Sequence, residues 1–141
     1  MPIQIVSLSP LPIIVIRMVD SIVLQDIANI IQYNTETMQQ SPRLIHVIYD
    51  CRELKKIDFA LRDIGMFRKT PIDPNSGWSL IVTDHPFFVF MGSTIAQLIS
   101  NVRFRVIPSA LHALTFIQNM EGDTQDLTLE MIEGHYSSLG E

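Results

Sequence analysis

Five short runs rich in Val, Ile and Leu alternate along this chain with stretches whose apolar residues recur at helical spacing. This alternation constrains the fold more than any single motif. Strands separated by helices of this length pair mostly in parallel and are covered on both faces. Residues 3–8 and 11–19 are β-branched runs split by Ser9-Pro10, which reads as an antiparallel pair opening the sheet. Residues 44–49 form a nearly continuous apolar run, as expected of a strand buried on both sides, and 78–83 and 102–107 supply two more strands. Between them, Asp20 and Ser21 are expected to cap a helix that turns Leu24, Ile27, Ala28 and Ile31 inward, reaches Met38 and stops before Ser41-Pro42. Asp58 is expected to cap a second helix, with Leu61, Ile64 and Phe67 on one face and Arg68 and Lys69 in its last turn. Asp84 is expected to cap a third that carries Pro86 in its first turn. Pro108-Ser109 opens a fourth, with Ala110, Ala113, Leu114 and Ile117 inward and Gly122 closing it. The order β-β-α-β-α-β-α-β-α predicts an α/β domain over residues 1–120. Its five-stranded, mostly parallel or mixed sheet opens with an antiparallel pair and carries helices on both faces. Residues 121–141 read as an acidic tail with a short helix near 127–132.

Charge is unevenly placed. The net charge is −5, but six of the fifteen acids lie from Glu121 onward with no Lys or Arg among them, leaving nine acids against ten bases before that point. Six of the ten bases, Arg52, Lys55, Lys56, Arg62, Arg68 and Lys69, fall between residues 52 and 69. They read either as a solvated face or as a docking patch for an acidic segment. The tail is one such segment, because Leu127, Leu129, Met131 and Ile132 give it an apolar reason to dock. No basic stripe interleaved with aromatics is present, so nucleic acid is not an expected partner. Residues 86–102 carry no charge, but Ser93, Thr94, Gln97, Ser100 and Asn101 interrupt them, and they read as a buried helix rather than a membrane span. The single cysteine, Cys51, allows no intrachain disulfide and suits the reducing cytoplasm. No basic region precedes the first apolar run, so no cleaved leader is expected.

Four stretches resemble the STAS-like family related to anti-sigma-factor antagonists. Residues 44–50, ending Ile48-Tyr49-Asp50, look like that family's central strand ending in Asp. Lys56-Ile57-Asp58 before a helix looks like its phospho-switch loop. Residues 77–82, beginning Gly77-Trp78, look like the next strand, and 102–106 followed by 109–114 look like its last strand and an Ala-Leu helix. The resemblance spans residues 3–120 and implies a module that works by binding, related in fold to Sec14-type lipid-binding proteins. Switch-type relatives place a phosphorylatable Ser after the loop Asp. Here Asp58 is followed by Phe59, which has no hydroxyl, so a kinase-controlled switch is not expected at that position.

The candidate chemistry is sparse. Asp50 sits at a predicted strand end, where α/β folds place ligands; the alternative is that it anchors local backbone N–H groups and Arg52. Asp20, Asp50 and Thr83 at successive strand ends suggest a receiver-type signalling domain as a second class, although the last strand ends Val106-Ile107-Pro108 without the lysine that phosphoryl oxygens need. Cys51 has no base in a recognisable local motif and reads as structural. The histidines at 46, 85, 112 and 135 show no metal-ligand spacing, and the six glycines form no phosphate-binding loop. No catalytic, cofactor or metal set is therefore expected. Phe87, Phe88, Phe90 and Met91, with Val89, make the start of the third helix apolar all round. A helix against one sheet buries one stripe. The surplus rings are expected to meet a second subunit in a homodimer, another protein, or an apolar or lipid ligand, unless a neighbouring helix or the tail covers them.

Overall fold

The computed structural model describes residues 3–64, 73–98, 103–120 and 124–133. The elements are β1 (Ile3–Ser7), β2 (Ile13–Ile22), α1 (Leu24–Gln39), β3 (Ile45–Ile57), α2 (Leu61–Ile64), β4 (Ser76–Val82), α3 (Pro86–Leu98), β5 (Arg103–Ile107), α4 (Ala110–Met120) and α5 (Leu129–Glu133). They build one five-stranded mixed sheet in the order β1-β2-β3-β4-β5, with β1 antiparallel to β2 and all other pairs parallel. This sequential order rules out the receiver reading, whose doubly wound sheet runs 2-1-3-4-5.

Alternation along the strands sorts the core into two layers. Ile13, Val15, Ile48, Leu80, Val82 and Ile107 meet Ala110, Ala113 and Ile117 of α4 on one face. Ile14, Ile16, Met18, Ile45, Val47 and Cys51 meet Ile30 and Met38 of α1 and Phe88 of α3 on the other. The helices that cross between parallel strands share one face, as right-handed crossovers require in a sheet that grows in one direction. Only after β5 does the chain return on the opposite face as α4.

Several local expectations are corrected. Asp20 and Ser21 do not cap α1, because β2 continues to Ile22. The helix begins after Val23, whose N–H donates to the Asp26 carboxylate at 2.8 Å. Asp20 instead sits beside a register shift in β2 with φ 60°, a left-handed conformation that Asp tolerates better than most residues. The most buried positions of α1 are Ile30, Asn34 and Met38, rather than a stripe begun at Leu24. α2 is capped by Asp63, which accepts from the Ala60 N–H at 3.2 Å, and not by Asp58. In α3 the cap is His85, whose Nδ1 accepts the Phe87 N–H at 3.2 Å, rather than Asp84. The expected positions of Phe67, Gly122 and Val102 lie outside the described residues.

The largest departure is β3. It runs to Ile57, well past the apolar run that predicts it, so Asp50, Cys51, Arg52, Lys55 and Lys56 lie inside a strand and not in a turn. β4 pairs with β3 only as far as Asp50–Val82, whereas β2 and β3 stay paired to Ile22–Ile57 through two register shifts. Beyond β4 the two strands form a ribbon that is apolar on one side, through Ile22 and Leu54, and charged elsewhere.

Leu127 and Ile132 are fully buried in the α4-side layer, together with Ile117 and Val82. The apolar pair expected to dock on the Arg52–Lys69 segment packs on the α4 side instead, while Arg68, Lys69 and residues 134–141 lie outside the described residues. A short connection and an apolar pair lay α5 against α4, its neighbour in sequence, and shape the contact more than charge does. Thr124, also buried, and Gln118 tie the connection down, the Gln118 amide donating to Leu127 O at 3.0 Å. Ile132→Ala is expected to cost about 2–5 kcal/mol, as for other fully buried aliphatic side chains. A denaturant midpoint equal to that of the unaltered chain would show α5 to be a passive appendage.

A close approach locks the amino ends of β3 and β4. His46 is buried, and its Nδ1 accepts the Trp78 N–H at 2.9 Å, which puts the ring proton on Nε2. The ring lies so near the neighbouring strand that a Cβ on Gly77 would stand 2.5 Å from Nδ1 and 2.9 Å from Ile45 O. Gly77→Ala must displace the ring and the bond it accepts, and is expected to destabilise by about 1–3 kcal/mol. Chemical denaturation measures this directly.

Candidate functional site

Strands β2 to β5 are parallel, so their carboxyl ends lie along one edge. At that edge β4 sends α3 to one face while β5 sends α4 to the other. Such a switch point opens a crevice between two neighbouring strands, the usual ligand position in open α/β sheets. Its walls are 83–85 after β4 and 108–112 at the start of α4.

The crevice is braced from within. Thr83 is buried, and its N–H donates to Ile107 O at 3.0 Å, extending the β4–β5 ladder by one residue. Its Oγ1 accepts the His85 N–H at 3.2 Å. Ser109 caps α4 by accepting the His112 N–H at 3.2 Å, and its hydroxyl lies 2.6 Å from His112 Nδ1. The amino ends of α3 and α4 stand at this edge, each carrying an exposed imidazole. The Ser109–His112 pair is missing from the sequence reading, although Ser followed three residues later by a polar side chain is a capping signature.

Phe87 and Phe90 extend the same surface. Phe88 and Met91 turn into the core at 6% exposure each, whereas Phe87 and Phe90 stay 53% and 64% exposed and Val89 lies beside them. Phe88 and Met91 are therefore corrected from interface to core. The period of the helix explains the split, since Phe88 and Met91 are three residues apart on the stripe that meets the sheet. The Phe88 ring packs 5.2 Å from His85 and 5.4 Å from Phe87, linking the exposed ring to the crevice wall.

Asp50 stands level with Arg17 of β2 and Val82 of β4. It is 3% exposed, and its carboxylate is fully engaged by its neighbour two positions on. Arg52 Nε donates to Oδ1 at 2.9 Å, Nη2 donates to Oδ2 at 2.7 Å, and the Arg52 N–H adds a third bond to Oδ1. Arg17 pairs with Glu53 alongside. This is a charge-balanced latch at the base of the ribbon rather than an open ligand edge. Farther along, Lys55 lies 3.6 Å from Asp20 and Lys56 lies 3.7 Å from Asp58, both pairs exposed. Arg62 is exposed on α2 next to Asp63. Each of these bases has an acid close by, so the ribbon is not a uniformly positive patch. Arg68 and Lys69 lie outside the described residues. Asp58 follows β3 directly and is exposed, with its N–H on Ile22 O, while the Phe59 ring packs partly against the α1-side core. The loop that resembles a switch is therefore held by an apolar side chain.

Among the described residues no group of three or more His, Cys, Asp and Glu side chains could hold a metal ion. No described helix is long and apolar enough to cross a membrane. Asp20 lies opposite Leu54 in the ribbon, four residues along β3 from Asp50, so the supposed acidic constellation is spread out.

A solved structure from Shewanella loihica PV-4 superposes on this chain. It is an uncharacterised protein of the DUF3478 family with a SpoIIAA-like fold. The TM-score is 0.57 at 13% identity, over 81% of this chain and 90% of that one. The fold is SpoIIAA-like. This agrees with the STAS-like resemblance of the strand-end and loop motifs. No family model and no curated protein matches the sequence.

Cys51 lies in the α1-side core, its thiol facing Met18 Sδ at 3.9 Å. Burial, with the Asp50 charge adding to it, pushes the thiol from 9.0 up to about 12. Burial likewise raises the Tyr49 hydroxyl from 10.0 to about 12, despite the bond it accepts from Asn34. Both groups stay protonated in the fold at pH values where the unfolded chain has released them. Their contribution to stability is complete below the unfolded values and is lost as pH rises through the window from 9.0 to about 12. Cys51→Ala is expected to flatten that alkaline loss in a stability-against-pH series. The native thiol should also resist a disulfide reagent until the chain unfolds, and rapid stoichiometric labelling of the native protein would contradict this.

Proposed function

We propose that this SpoIIAA-like chain is a non-catalytic binding module that takes a protein partner at the carboxyl edge of its sheet. The observation that carries this reading is the pair of exposed rings, Phe87 and Phe90, on the first turns of α3 beside the β4–β5 crevice. Aromatic side chains that stay solvated on a rigid element are the usual anchors of protein interfaces. The polar groups around them, Ser109, His85 and His112, suit hydrogen bonding to a partner's backbone or side chains. The core thiol and the latched carboxylate offer no activated nucleophile, which supports recognition over chemistry. The same rings would also accommodate an apolar chain, so a lipid ligand is the second reading. A regulatory role in the cytoplasm follows from the STAS-like resemblance and the lone buried thiol, and belongs to this proposal.

The test is affinity capture from native lysate with the unaltered chain and with Phe87→Ser/Phe90→Ser, followed by mass spectrometry of retained proteins and extracted lipids. A protein retained by the first and lost by the second supports the reading; a retained lipid would favour the second reading. Equal retention by both would place recognition elsewhere. The double variant should keep its melting temperature, whereas Phe88→Ala should destabilise by about 3–5 kcal/mol because that ring is in the core.

A further inference from the structure

The sheet has two edges, and they differ in chemistry. β5 carries Arg103 and Arg105, both exposed, the latter with its guanidinium 5.2 Å over the Phe116 ring. Charged side chains on an edge strand oppose pairing with another strand. β1 reads Ile-Gln-Ile-Val-Ser, with no charge and no proline, and it keeps an unbroken register with β2. We propose that β1 is the pairing edge of a twofold homodimer, in which it lies antiparallel to β1 of a second copy and joins the two sheets into one.

The hydrogen-bond phase of the edge supports this arrangement. Leu8 N–H donates to Ile13 O at 2.9 Å, which makes Leu8–Ile13 a bonded rung. Bonded and non-bonded rungs alternate in an antiparallel pair. The rungs at Val6–Val15 and Gln4–Arg17 are therefore also bonded, and Ile3, Ile5 and Ser7 turn their N–H and C=O groups to the open edge. An antiparallel pairing centred on Ile5 sets Ile5 against Ile5 of the second copy and Ile3 against its Ser7. Every outward group of the strand then finds a partner.

Side chains fit the same centre. Ile3 and Ile5 are half-buried against the α1-side core and Val6 against the α4-side core, so both layers continue across the axis. With Ile5 on the axis, the two Gln4 side chains lie diagonally on one face, within reach of long side chains. Charge separates the two edges as well. Two copies of β5 would bring four arginines together, whereas two copies of β1 bring none.

The test is sedimentation of the full chain across a concentration series, together with residue-resolved amide exchange. A reversible monomer–dimer equilibrium in the micromolar range is expected. Ser7→Lys, at an exposed position, should raise the dimer dissociation constant at least about tenfold and leave the melting temperature of the monomer unchanged. Phe87→Ser/Phe90→Ser should leave the equilibrium as it is, which separates this proposal from the partner site. Amides of Ile3, Ile5 and Ser7 should gain protection as concentration rises, while those of Gln4 and Val6 are protected throughout. A chain that stays monomeric at high micromolar concentration would overturn the proposal. So would a dimer indifferent to Ser7→Lys, or protection of the outward amides that needs a different protein.

Discussion

Everything in this structure depends on β2, β3 and β4 being buried on both faces. Ile13 through Ile16, Val47, Ile48, Leu80 and Val82 have essentially no exposed surface. A strand of this kind cannot sit at a surface, so it requires a neighbour on each side and a helix layer above and below. Burial of apolar area at about 25 cal/mol per Å² is the term that holds those layers. Because the alternating side chains divide between the layers, one stretch of β2 commits itself to α1 and to α4 at once. The position of α4, and through it of α5, follows from that division.

The location of the recognition surface follows from the same constraint. One face is filled by α1 and α3, so the chain leaving β5 can cover the other face only by crossing the carboxyl edge. The crossing creates the crevice between β4 and β5 and aims the starts of α3 and α4 at it. Charged residues are displaced to the ribbon beyond β4, where they neutralise one another in short pairs. The apolar surface that remains exposed on α3 lies at the start of that helix, beside the crevice.

Much of this was legible in the sequence, because the relevant signals are local and periodic. The order of elements along the chain, the antiparallel opening pair and the inward stripe of α4 all come from runs with a clear period. What escaped depends on contacts between distant residues. The second half of β3 reads as a charged loop until β2 is laid beside it, and only then do Leu54 and Ile57 acquire partners. His46 and Gly77 are individually uninformative, and their fit exists only across two strands. Val23 lacks capping chemistry of its own, and Asp20 and Ser21 carry the stronger capping signal although they belong to β2. The split between Phe88 and Met91 inside and Phe87 and Phe90 outside was readable in principle from helical spacing, but only once the direction of the sheet was known. Charge was a poor guide to the tail, whose apolar residues found the adjacent helix first.

The central claim is that recognition occurs where β4 and β5 send their helices to opposite faces. Its most direct test is the amide spectrum of isotopically labelled protein before and after adding a captured partner. The account predicts that the largest shifts fall on 83–90 and 109–112, with the ribbon residues Arg52 to Lys56 unmoved. Shifts centred on the ribbon, with the crevice silent, would contradict it.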